Sequence, residues 1–206
     1  MREGGEERLA HLLAQPSVIK IRSALASHRP VVADEEEGVR KAAVALIVRL
    51  GTDDALELLF IKRAEYEGDP WSGQIAFPGG RMEAGDASLS ETAIRETREE
   101  TGIDLKREGL VIGVLDDLRP RTVRLPAIVV RPYLALIDRD EPLRLSQEVA
   151  LAFWLPFAAL ARAESWHEET VDARGVQINA RVFRHQEHVI WGMTERVLNQ
   201  LLTLLD

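Results

Sequence analysis

An α/β/α sandwich, with a mixed central sheet between helices and a helical arm at the N-terminus, is the fold class the sequence predicts, and three observations predict it. Apolar runs of strand length outnumber the segments with helical periodicity. The two helical segments beyond the arm stand far apart in the chain, and no internal repeat or low-complexity tract points to a repeat or barrel array. With 206 residues, 46% of them apolar, the chain can bury a core of its own. The expected division is a helical arm over residues 1–38 and a single domain over residues 39–206.

Taken in order, residues 5–28 carry Leu9, Leu12, Leu13, Val18, Ile19, Ile21 and Leu25 at helical spacing, interrupted at Pro16. They read as two short helices before the loop SHRPVVADEEEGVRK. AAVALIVRLG and LELLFIKR are apolar runs of strand length separated by TDD, and QIAFPG reads as a third short strand after the loop YEGDPWSG. A helix is expected from Ser88 to Thr101. LVIGVLDDL, AIVVRPYLALI, EVALAFWLPF and VQINARVF follow as strands, and a last helix from Thr194 to Leu205 carries the stripe Val197, Leu198, Leu201, Leu202 and Leu205. His185 and His188 are expected on opposite faces of one strand, as surface histidines without a metal.

Composition narrows the function classes. The absence of cysteine excludes disulfides, thiolate catalysis and cysteine-ligated zinc, and points to the cytoplasm. The first twenty residues mix acids with bases instead of running from basic to apolar, unlike a signal peptide, and no apolar run approaches about 18 residues, so no membrane partner is expected. A net charge of -8 argues against nucleic acid but leaves room for a small anion held by local cations or a metal ion. Strings of the GxSxG, GxxxxGK[ST] and GxGxxG types are absent, which removes the serine-hydrolase elbow, the P-loop and the dinucleotide fingerprint. A homodimer stays open.

The stretch FPGGRMEAGDASLSETAIRETREETGI, residues 77–103, concentrates the chemistry. On a helix at about 100° per residue, Glu96, Glu99 and Glu100 fall within roughly 100° of arc, while Ala93, Ile94, Thr97 and Thr101 share a packable sector. Like charges at i,i+3 and i,i+4 cost a few tenths of a kcal/mol per pair, so the crowding calls for a cation. Arg95, four residues before Glu99, can buttress that carboxylate but cannot neutralise three. Mg²⁺ suits hard oxygen donors and keeps waters for a phosphate to displace, and Gly79 and Gly80 let a backbone carbonyl approach such an ion. REETG alone would read as a solvated helix face.

Gly80, Asp86, Arg95, Glu96, Glu99, Glu100, Gly102 and Ile103 together resemble the Nudix box, GX5EX7REUXEEXGU. Asp86 stands where the general box has glutamate, the gap from Asp86 to Arg95 is one residue longer, and Thr97 takes a normally aliphatic place. The aspartate and the longer gap resemble the coenzyme A diphosphatase branch, as do Leu58, Leu59, Arg63, Ala64, Gly73, Gln74, Phe77, Pro78, Gly79 and Gly80 before the box. Against that branch, Glu65, Glu67 and Asp69 stand in a commonly basic region.

The resemblance implies a Nudix-type sandwich and a Mg²⁺- or Mn²⁺-dependent hydrolase of a small-molecule diphosphate. Glu99 and Glu100 would be metal ligands, Glu96 a further ligand or the base, the carbonyl of Gly79 a donor, and Arg95 the residue that orients the glutamates. Arg63 and Gly80 would lie on the substrate, with Asp86 and Glu148 as accessory groups; Glu148 reads equally as a structural residue at the start of a strand. Arg119, Arg121, Arg124 and Arg131 crowd an otherwise acidic chain, as phosphate-binding guanidiniums or a solvated loop. Trp71 is read as a lid over the core in preference to a stacking platform, and Trp191 as a core residue. The expected reaction splits coenzyme A or a derivative into 4′-phosphopantetheine, or its acylated form, and 3′,5′-ADP. ADP-ribose, nucleotide sugars and nucleoside triphosphates are the alternatives within the class, and a non-catalytic nucleotide-binding regulatory module the alternative outside it.

Overall fold

A computed structural model of the chain describes residues 3–34, 36–51, 54–69, 71–120, 127–138, 142–173 and 175–205. The arm forms two helices, α1 (Glu3–Ala14) and α2 (Pro16–Ser27). They break where expected: Gln15 is extended and Pro16 opens α2, where its missing N–H costs nothing. Leu12, Val18, Ile21 and Leu25 are buried in the same apolar cluster as Leu46, Leu58 and Phe60 of the sheet.

The central strand β1 (Arg40–Leu50) runs parallel to β6 (Ile128–Ile137), paired from Arg40↔Ile128 to Val48↔Leu136, and β5 (Gly109–Val114) closes that side antiparallel to β6. On its other side β1 pairs with β2 (Leu56–Arg63) only near their hairpin, from Val48↔Leu58 to Leu50↔Leu56. Beyond it the two strands splay, and the wedge between them receives β3 (Ile75–Ala76) on β2 and β4 (Gly79–Arg81) on β1. The expected single strand QIAFPG is therefore two. Pro78, which lacks an N–H, sits at the crossing, and its carbonyl accepts a hydrogen bond from Ala45 N at 2.8 Å. Outside β2 lies β7 (Val149–Pro156), antiparallel.

Each face of this mixed sheet is covered. The helix α3 (Leu89–Thr101) and the short α4 (Leu105–Glu108) bury Leu89, Ala93, Ile103 and Leu105 against Ala43, Ala45, Ile47, Leu59, Ala135 and Ile137. The arm and the last helix, α5 (Phe157–Leu160) being a single turn between, cover the other face; that last helix, α6 (Gly192–Leu205), starts at Gly192 rather than Thr194. The expected α/β/α sandwich is the observed architecture. No helix among the described residues is long and apolar enough to cross a membrane.

A second sheet, absent from the sequence reading, is built from β8 (Trp166–Asp172), β9 (Gln177–His185) and β10 (His188–Ile190) in the order β10-β9-β8. The strand WHEETVD gave no signal because neither face is deeply buried, so no apolar alternation marks it. The reading of His185 and His188 is corrected here. The chain reverses at Gln186, whose φ is 54°, and His188 pairs directly opposite His185, so the two face each other across a hairpin rather than alternating along one strand.

Candidate active site

The helix α3 is delimited locally. Ser88 caps its start by accepting from Glu91 N at 3.2 Å, and Gly102 ends it at φ 75°, the left-handed conformation glycine adopts without strain. Of the expected sector, Ala93, Thr97 and Thr101 are buried toward the sheet and Ile94 is partly buried against the same cluster, while Thr92, outside that sector, is buried as well. Glu96 is largely covered, its side chain 16% exposed, whereas Glu99 points outward at 53%. Glu100 does not: its side chain is only 4% exposed, tucked beneath the Gly79–Gly80 turn.

That turn is made by close approach. A Cβ on Gly79, at φ 154°, would lie 2.2 Å from the carbonyl oxygen of Ala43, so only glycine lets β4 lie on β1 here. A Cβ on Gly80 would lie 2.4 Å from Glu96 Oε1. Gly79 N donates to Glu100 Oε2 at 2.8 Å, so the backbone of β4 meets the last of the three carboxylates of α3.

Asp86 holds Arg95. The aspartate accepts from Arg95 Nε at 3.0 Å and Arg95 Nη2 at 3.0 Å, from Glu83 N at 2.9 Å and from Thr92 Oγ1 at 2.9 Å. The longer gap before Arg95 thus accommodates a tight loop whose aspartate forks onto the guanidinium. Arg95 also donates to the Arg81 carbonyl at 3.0 Å and, through Nη1, to Glu96 at 3.0 Å and Glu99 at 3.1 Å. The bond to Arg95 holds the Asp86 carboxyl far below its usual range, and the same bond raises Arg95 further.

The remaining acids are under-neutralised. Burial pushes Glu100 up to about 8, against the Gly79 N–H and the Arg63 charge, with the charges of Glu96 and Glu148 adding to the rise. Burial likewise raises Glu96 despite Arg95, and Glu99 and Glu148 add to that shift. Glu148 therefore stands beside the cluster, with its own carbonyl accepting from Ala64 N at 2.8 Å. The guanidinium of Arg63 lies 3.8 Å from Glu100 Oε1, but its main partner is Asp69 Oδ2, at 3.0 and 3.3 Å. Asp69 also accepts from Trp71 N at 3.1 Å. Its pairing with Arg63 escaped the sequence reading, which saw only a run of acids.

The arginine-rich segment divides. Arg131 is locked onto the buried Asp117 at 2.7 and 2.8 Å, and Arg119 pairs with Glu36 at 2.9 Å and the Asp34 carbonyl at 3.3 Å. Both are paired within the protein, Arg131 with a buried aspartate and Arg119 with an exposed glutamate. Arg121 and Arg124 lie outside the described residues. Trp71 packs against Ala42, Ile128 and Val130 as a lid, whereas Trp191, expected in the core, is half-buried beside an open cleft.

Among the described residues no three histidine or carboxylate side chains are already gathered as a metal cage. The donor chemistry nonetheless fits a hard divalent cation: a desolvated carboxylate at Glu100, flanked by Glu96 and Glu99, faces a turn where a side chain is sterically excluded.

A strand-turn-helix that crowds carboxylates beneath a glycine turn defines a class of phosphoanhydride hydrolase, and comparison with known proteins agrees. A family model described as the NUDIX domain matches residues 39–173. Nudix hydrolase NudL of Cronobacter sakazakii, itself uncharacterised, is 33% identical over 174 residues, 84% of this chain and 86% of its own. The NudL of Salmonella heidelberg is 32% identical over the same shares. A MutT/nudix family protein from Enterococcus faecalis superposes with a TM-score of 0.54 at 19% identity, over 100% of this chain and 76% of its own. A NUDIX hydrolase from Alicyclobacillus acidocaldarius gives 0.51 at 20%, over 82% and 93%. At such identities these two structures speak for the fold alone. The chain belongs to the Nudix family and is a Nudix hydrolase, an enzyme of phosphoanhydride bonds.

Proposed function

We propose that this Nudix hydrolase is a Mg²⁺- or Mn²⁺-dependent diphosphatase that hydrolyses coenzyme A or its derivatives to 4′-phosphopantetheine, or its acylated form, and 3′,5′-ADP. The observation that carries the metal-dependent part is Glu100, a carboxylate almost wholly desolvated, raised by burial to about 8, and offered one backbone N–H and the distant edge of Arg63. An anion so placed is costly without a cation beside it. Glu99 and Glu100, with Glu96 as a further donor or as the base and the Gly79 carbonyl completing the set, would hold the metal. Bound there, a divalent cation supplies charge stabilisation on the phosphoryl oxygens and lowers the pKa of a bound water.

The chain's own groups do the rest. Arg95, fixed by Asp86 and the Arg81 carbonyl, donates to both Glu96 and Glu99 and so orients the two carboxylates. Glu96, or Glu148 beside it, accepts the proton of the attacking water; the water oxygen joins one phosphorus as the bridging P–O bond breaks. Gly80 leaves open the space that the diphosphate and Glu96 share. Arg63 faces Glu100 at the substrate side, and Arg119 would meet a substrate anion by exchanging it for Glu36. The coenzyme A assignment rests on the residues from Leu58 to Gly80 and on the aspartate and longer gap of the box.

The test is a panel of diphosphates with Mg²⁺ and with Mn²⁺, resolved by product mass. Release of 3′,5′-ADP from coenzyme A, in preference to products from ADP-ribose, nucleotide sugars or nucleoside triphosphates, is the expected result. Preference for ADP-ribose would replace the substrate and keep the reaction. No metal-dependent product from any diphosphate would leave only a nucleotide-binding module.

A further inference from the structure

Behind Arg63 lies a cleft of about 620 Å³ that the carboxylate site does not use. Its floor is one rung of the central sheet, Ile75, Lys62 and Leu151 paired side by side across β3, β2 and β7. One wall is the loop of Tyr66 and Asp69, braced by Tyr66 N bonding Ser72 Oγ at 2.8 Å and by the Tyr66 hydroxyl donating to the Gln147 carbonyl at 3.1 Å. The other is the second sheet's hairpin, where His188 stacks on Phe153 at 3.9 Å and Val189 and Trp191 face the opening. The cleft and the carboxylate cluster are one guanidinium apart: Arg63 reaches Asp69 on the cleft side and Glu100 on the other.

The charge of the lining decides what can enter. Among the described residues around it, Glu65, Asp69, Asp172 and Glu187 face only Lys62 and His188 as cationic or ionisable bases. The one guanidinium at the boundary is already paired by Asp69. A phosphate or carboxylate entering would meet the like charges of Glu65, Asp172 and Glu187, a repulsion that water screens but does not abolish. An uncharged chain with amide and hydroxyl donors would instead find acceptors, with Leu151, Val189 and Trp191 for its methylenes. We infer that this cleft holds the uncharged, amide-bearing substituent of the diphosphate and that its acidic lining, Glu65, Asp172 and Glu187, disfavours anionic substituents.

The inference rests on the substrate reading above, in which that substituent is the pantetheine arm and the phosphorylated nucleotide lies on the other side of the diphosphate. Pantetheine, pantothenol and pantothenate share one scaffold and end in a thiol, a hydroxyl and a carboxylate. They can be titrated into the full-length protein without metal while NMR follows the indole N–H of Trp191, assigned through Trp191→Phe. The two neutral compounds should move that signal, pantothenate should bind about fivefold more weakly, the size of a single like-charge contact in water, and Glu65→Gln should narrow the difference. Glu65→Gln keeps the side chain's length and removes the charge of an exposed lining residue, leaving the Arg63–Asp69 pair intact. Val189→Trp, which fills the cleft from its hairpin wall, should lower kcat/KM for coenzyme A by about tenfold or more while its melting temperature stays near that of the wild type.

An unmoved Trp191 signal, equal affinity for the neutral and anionic compounds, or a folded Val189→Trp with unchanged kcat/KM would each overturn the inference. If the wild type releases no 3′,5′-ADP from coenzyme A, the substrate reading falls instead, and the three-compound titration still decides whether the cleft takes an uncharged polar chain.

Discussion

Two arginine–carboxylate constellations flank the same sheet and differ in how completely they are neutralised. At Asp117 and Arg131 one guanidinium meets one buried carboxylate through two bonds, at 2.7 and 2.8 Å, with Ala33 N a further donor at 2.9 Å. Burial pushes Asp117 up, yet those bonds prevail and its pKa is lowered. Around Arg95 the same fork is made with Asp86, but Glu96, Glu99, Glu100 and Glu148 remain, and burial wins at Glu96 and Glu100. The first arrangement is finished within the protein and holds the loop after the arm to the sheet. The second is incomplete without something positive, and that deficit is what distinguishes a site from a structural pair.

Breaking the second region should have the largest effect. Glu100→Gln keeps the shape and removes the desolvated charge, so metal-dependent kcat/KM should fall by about three orders of magnitude, the several kcal/mol expected of a lost metal donor. Metal-free stability at pH 8 should hold or rise. Steady-state kinetics at saturating Mg²⁺ and a melt in chelator check the two halves; near-wild-type turnover would remove Glu100 from the metal set.

Acid and base should separate the two regions next. Glu100 and Glu96 have folded pKa values above the ordinary 4.5, so the metal-free native state retains protons that the unfolded chain releases. Their contribution is fully present below pH 4.5 and is lost as pH rises through about 8, a fall on the order of 5 kcal/mol at Glu100. Asp117 behaves oppositely. Its folded pKa lies below the ordinary 3.8, so its contribution is present above pH 3.8 and is lost as pH drops through the folded value. Urea midpoints in chelator from pH 3 to 9 should show both limbs, and Glu100→Gln should flatten only the alkaline one.

Asp117→Asn should cost about 2–3 kcal/mol by leaving the Arg131 charge poorly matched in a partly buried place, with the metal dependence of turnover unchanged. A loss of metal affinity would mean that the two regions are coupled. Smallest is Thr97→Val. The Thr97 hydroxyl is fully buried without a hydrogen-bond partner in the structure, so a shape-matched methyl should stabilise by about 1 kcal/mol. A chemical-denaturation midpoint that drops would show that the hydroxyl has a partner after all.

The sequence by itself determined the layers and the helix that carries the chemistry. Leu9 to Leu25, the apolar runs of β1, β2, β6 and β7, and the stripe of α6 are legible because burial imposes a period of 3.6 or long apolar runs. Glu96, Glu99, Glu100 and Arg95 were legible because charge crowding on one helix is a local property. What only the tertiary structure decided depends on segments distant in the chain. The wedge between splayed β1 and β2 made two strands of QIAFPG. The hairpin at Gln186 set His185 against His188, and the closure of a loop gave Arg63 to Asp69 and Arg119 to Glu36. Which charges remain unpaired is fixed by three-dimensional neighbours, because a guanidinium has the same donors wherever it stands and only packing decides which carboxylate reaches it first.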